Sequence, residues 1–216
     1  PIGVFLETFT NQVLTERKFP LNVRVYHLAS TLNRLALMAE HGELTETALR
    51  RQTARFKNEL YDTNLAVKTK RLRPEPFTAG SFWKGMHNFG GTRGLYALGG
   101  PPEALRTLLE DDTAANYREI HQEIQELRAA AQPILRDAYT EVFETYLRVS
   151  FQNKGFPWNP VSGNYIATFN NTLIPFATIQ LALWLRVREN GVLTPNDVQT
   201  AIYKIERGLG HSSLIY

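Results

Sequence analysis

The chain of 216 residues contains no cysteine. That excludes disulfides, thiolate metal ligands and a cysteine nucleophile from these residues, and it fits a cytoplasmic setting. Excess charge of one sign is also missing: 24 basic residues against 21 acidic leave a formal +3, too mild to imply nucleic acid. No apolar run reaches the roughly 20 residues that cross a bilayer. The best block, Thr172 to Leu185, has fourteen, and Asn170, Asn171 and Gln180 interrupt the wider window, so no membrane partner is expected. There is no GxSxG elbow, no HExxH pair and no phosphate loop ending in GK[ST]. His27, His41, His87, His121 and His211 stand apart, without partners at metal-ligand spacing, so no metal site is expected. Alternating strand-like runs and fixed-period repeats are absent too, and the fold class reads as all-α.

A hydrophobic fraction of 43% is enough for one core, so residues 1–216 read as a single domain with a possible sub-division near 74–100. The opening, Pro1-Ile2-Gly3, has no initiator Met and runs straight into helical periodicity, as in a fragment of a longer chain. The most continuously apolar stretch runs from Ser162 to Arg188. A helix apolar on all sides must be surrounded by protein, which predicts a central buried helix with a multi-helix bundle around it. Pro175 either kinks that helix or sits in its first turn. Spacing predicts further helices over Ile2 to Arg17, Leu21 to His41, Glu46 to Leu65, Pro101 to about Glu110, from an Asp112-Thr113 cap through Tyr117, Ile120, Ile124 and Leu127, and over Ile134 to Asn153 and Thr194 to Leu209. Pro133 is read as a break between two of them. Thr194-Pro195-Asn196-Asp197 carries the pattern of a capped helix start.

Between Phe77 and Gly100, glycines (Gly80, Gly85, Gly90, Gly91, Gly94, Gly99) alternate with Phe82, Trp83, Phe89 and Tyr96. Glycine supplies backbone freedom and aromatics supply burial, so the stretch is expected to be an irregular loop able to bind a partner. Lys68 to Arg73, KTKRLR, is a basic loop, either solvated or facing an acidic partner. Phe156 and Trp158 either plug the junction of two helices or face a ligand. His211, near the end of the last helix, could complement the helix dipole.

Three segments carry a family resemblance: FLETFTNQVLTERKFPLNVRVYHLASTLNRL, TYLRVSFQNKGFPWNP and VLTPNDVQTAIYKIERGLGHSS. Their helix, short break and long Leu-rich helix, their Asn-x-x-Phe-Pro-aromatic turn (Asn153, Phe156, Pro157, Trp158) and their closing helix near His211 resemble the C-terminal helical region of the flagellin lysine-N-methylase family. The resemblance implies a parent enzyme that transfers methyl groups from S-adenosylmethionine to lysine side chains of flagellin. It also implies an iron–sulfur cluster held by an upstream cysteine-rich domain. The present chain would contribute scaffold and substrate binding and would not transfer methyl groups alone. Removing a proton from the lysine amine needs an acid–base partner beside an acceptor groove. On this reading Trp83, His87, Tyr96, Phe156 and Trp158 are candidates for the groove and His211 for a catalytic role. The alternative is a non-enzymatic helical binding or adaptor module that uses residues 77–100.

Overall fold

The computed structural model describes residues 2–60, 75–90, 95–157 and 164–210. Among these there are eight helices and no strand: α1 Ile2–Thr15, α2 Leu21–Glu40, α3 Glu46–Leu60, α4 Pro76–Gly90, α5 Glu103–Glu110, α6 Ala114–Asn153, α7 Tyr165–Asn190 and α8 Pro195–Gly210. The all-α expectation is met. The residues group into two compact units, one from 1–72 and 140–172, the other from 73–139 and 173–216.

In the first unit, α1 and α2 pack against each other and both pack on α3. Leu6, Phe9, Val13 and Leu14 of α1 are buried, as are Leu28, Leu32 and Leu35 of α2. Gly42, at φ 69°, supplies the left-handed residue that closes α2. The buried stripe of α2 departs from the apolar pattern, because Arg24 is on it at 1% exposure. Its guanidinium donates to Leu14 O, one of the carbonyls left over at the end of α1, and to Glu144 of α6 at 2.5 Å. Arg17 reaches the same Glu144 at 3.1 Å and Glu141 at 2.6 Å.

Pro133, expected to mark a helix edge, and Pro175, expected either to kink its helix or to sit in its first turn, both lie inside helices. Pro133 lies within α6, so the predicted pair of helices is one element of 40 residues. The reason is packing: Ile120, Ile124, Leu127, Ala131, Leu135, Tyr139 and Phe143 form a buried stripe that crosses the proline unbroken. Burial of that stripe outweighs a proline cost of about 3 kcal/mol. Pro175 lies within α7, where its missing N–H leaves the carbonyl of Asn171 without its helical donor. Lys154 Nζ donates to that carbonyl at 3.0 Å. The true start of α7 is Asn164, whose Oδ1 accepts the N–H of Ala167 at 2.7 Å as an N-cap.

In the second unit, Phe176, Ile179 and every residue from Leu181 to Leu185 are buried. By length and composition α7 could cross a membrane, but this segment is enclosed by protein. The start of α8 is a reciprocal capping box. Thr194 Oγ1 accepts from Asp197 N at 3.2 Å, while the Asp197 carboxylate accepts from Thr194 N at 2.9 Å, Thr194 Oγ1 at 2.7 Å and Arg186 Nε at 2.9 Å. The Thr194 N–H foremost, then its hydroxyl and Arg186, hold the Asp197 carboxyl below the ordinary value of 3.8. A carboxyl with a depressed native pKa stabilises the fold above its unfolded value, and that contribution fades as pH falls toward the native one. Asp197→Asn should therefore lower the melting temperature at pH 7, and the gap between variant and parent should close below about pH 4. A gap independent of pH would contradict this role.

The stretch expected to be an irregular Gly/aromatic loop is corrected: residues 76–90 are helix α4, and only the described residues after it lack regular structure. Glycine is tolerated there because α4 packs closely. A Cβ on Gly80 would lie 2.4 Å from Tyr117 Cδ1 and 3.2 Å from its Cα, whereas one on Gly85 would meet nothing within 4 Å. Gly85→Ala should stabilise by about 0.5–1 kcal/mol through helix propensity, and Gly80→Ala should destabilise by about 1–3 kcal/mol through overpacking. Denaturation midpoints moving the same way for both would contradict a packed helix here.

Candidate functional site

α4 begins at Pro76, a residue pre-set for a first helical turn, with Glu75 Oε2 accepting the N–H of Thr78 at 2.9 Å. Its inward residues, Ala79 and Met86, are buried, and Thr178 Oγ1 of α7 reaches Met86 Sδ at 3.8 Å. Residues one turn apart share a helix face, so Trp83 and His87 are neighbours. Both are half-buried.

Two aromatic rings meet that of Trp83. The ring of Phe82 lies 4.9 Å from it at 74°, and that of Trp184 from α7 lies 6.1 Å away at 65°. Trp184 is buried, and its indole N–H has no acceptor among the described residues. Phe82 is the open wall, 45% exposed. Beside it, Lys84 is tied to Asp112 at 2.8 Å. That hydrogen bond raises the Lys84 pKa and, with one from Tyr117, lowers that of Asp112. Both charges are already engaged.

At the far end of α4, His87 Nδ1 lies 2.6 Å from the hydroxyl of Tyr96. Burial pushes the Tyr96 hydroxyl above its ordinary range, so it is a neutral phenol and can serve as donor. If it donates to Nδ1, the imidazole proton resides on Nε2. Tyr96 is anchored through the residues just beyond it. Gly99 comes so close to α7 that a Cβ there would lie 3.0 Å from Leu185, and Gly100 is clamped between Glu189 Oε1 (2.8 Å) and Arg188 (2.9 Å). Glu123 of α6 then accepts the first N–H groups of α5, from Glu103 at 3.2 Å and Ala104 at 2.8 Å, because Pro102 offers no side-chain cap.

The structure thus brings together Trp83, His87 and Tyr96 of the predicted groove. Phe156 belongs to the other unit and is 8% exposed, packed at 5.1 Å on Phe151 and 6.4 Å on Phe169. Its packing is that of the plug between helices, the first of the two readings for this residue. Trp158, His211 and the KTKRLR run lie outside the described residues. The residue missed from the sequence is Phe82; its adjacency to Trp83 was the available signal, hidden once the stretch was read as irregular. No group of three or more His, Asp or Glu suited to a metal occurs among the described residues.

No curated protein and no solved structure gives a match to the chain. A family model described as the FliB lysine N-methylase C-terminal domain matches residues 7–215. That span takes in both units and the whole α4 face, and the chain belongs to the FliB lysine N-methylase C-terminal domain family.

Proposed function

We propose that the protein of which this chain is the C-terminal domain transfers methyl groups from S-adenosylmethionine to lysine side chains of flagellin, in the cytoplasm before export. These residues contribute scaffold and substrate capture. The observation that carries the reading is the family match over 7–215, and Phe82, Trp83, His87 and Tyr96 are partly exposed aromatic and imidazole groups within that span.

Methyl transfer to lysine requires an unprotonated amine, whose ordinary pKa is about 10.4, so the catalytic centre must accept a proton and present an electrophilic methyl group. S-adenosylmethionine supplies that methyl in the parent enzyme. With no cysteine the present residues cannot supply thiolates to an iron–sulfur cluster, so a cluster does not fit here and belongs to the upstream cysteine-rich partner domain. What this chain can offer is a rigid apolar face that holds a lysine-bearing segment of flagellin.

The test is incorporation of labelled methyl groups into flagellin by the full-length parent. Label should appear on lysine, and Trp83→Leu or Tyr96→Phe should raise KM for flagellin about tenfold with kcat nearly unchanged, as for loss of uniform binding. Label on no lysine would sink the reaction. Unchanged KM in both variants would remove the site and leave the reaction standing.

A further inference from the structure

The rings of Phe82 and Trp83 meet nearly at right angles, with Phe82 open to solvent and Trp83 backed by Trp184. Ring faces carry negative quadrupole density, and perpendicular rings make a corner in which a cation touches more than one face. A corner of this kind stabilises the charged form of an amine. The charged form cannot attack a methyl donor, so this is the wrong environment for the transfer step.

An unmethylated lysine ammonium also has three N–H donors that need acceptors. Asp112, the carboxylate paired with the neighbouring Lys84, is engaged at 2.8 Å. Each methylation removes one of those donors and trimethylation removes all three, while the charge stays and hydration weakens. Such a cation suits an aromatic corner whose neighbouring carboxylate, Asp112, is already paired with Lys84.

We propose that the Phe82 and Trp83 corner is a docking site for the methylated lysine side chain, the product of the reaction assigned above. The inference rests on that assignment and deepens it, since a substrate with several acceptor lysines would be held by one modified residue while others are processed. Tethering of this kind raises the effective concentration of the remaining lysines without a new active-site contact.

The test titrates the full chain with N-acetyl-Nε-trimethyl-lysine amide, its unmethylated counterpart and the neutral isostere in which carbon replaces the quaternary nitrogen, read by tryptophan fluorescence. The trimethylated probe should bind about five- to thirty-fold more tightly than the neutral isostere, the cation–π range for a partly desolvated site. It should also outbind the unmethylated probe. Phe82→Leu should abolish the preference and Phe82→Tyr should retain it. Equal affinity for cation and isostere, or a preference untouched by Phe82→Leu, would overturn the proposal. Its failure beside a parent enzyme that methylates flagellin would leave the proposed function intact. Binding without any methylation by the parent would remove that function instead.

Discussion

Arg24→Met is expected to cost about 3–5 kcal/mol, because it leaves the buried Glu144 carboxylate without its closest partner and frees the Leu14 carbonyl at the end of α1. Arg24 is 1% exposed and Glu144 4%, so water cannot replace what is lost. The reciprocal change, Glu144→Leu, should cost a similar amount by stranding Arg24. The double variant should recover much of the loss, since removing both charges also removes their desolvation penalty. Arg17, already 3.1 Å from Glu144, limits the damage in the single variants only partly, as its side chain is largely exposed. Denaturant unfolding of the four proteins gives the coupling. Additive losses would contradict a buried pair joining α1, α2 and α6.

Leu181→Ala and Leu183→Ala should each destabilise by about 2–5 kcal/mol, an effect as large as the first. The two residues point to opposite sides of a helix, being two positions apart at 3.6 residues per turn. On an amphipathic helix one of the two changes would be nearly neutral. In α7 both side chains are buried, at 1% and 0% exposure, so both leave cavities. Leu37→Ala, at 55% exposure, serves as the comparison and should lie within about 0.5 kcal/mol of the parent. A large loss from only one of the α7 variants would mean that the helix is enclosed on one side.

These two predictions also mark what was legible in the chain before its structure. The enclosure of α7 comes from a run with no polar face, and the capping box at Thr194 comes from four residues whose chemistry is local. Positions decided by distant partners were not legible. Arg24 looks like a solvent residue until Glu144, far along the chain, is placed against it. Pro133 looks like a break until the stripe on both sides proves to be one buried face, and Pro175 looks disruptive until Lys154 takes up the carbonyl it strands. The candidate site was half legible for the same reason. Trp83, His87 and Tyr96 stood out by type, but the glycines around them suggested irregular backbone. Gly80 is instead a contact point against Tyr117, and Gly99 one against Leu185. Phe156, singled out for its size, turned out to complete a ring cluster with Phe151 and Phe169.

The most direct measurement is a cross-linking map between the full-length protein and flagellin carrying a photoreactive lysine analogue. Cross-links should fall in the peptide Pro76–Gly90, centred on Phe82 and Trp83, and should vanish when unlabelled methylated flagellin competes. Cross-links that avoid this helix altogether would contradict the assignment of α4 as the surface that captures substrate.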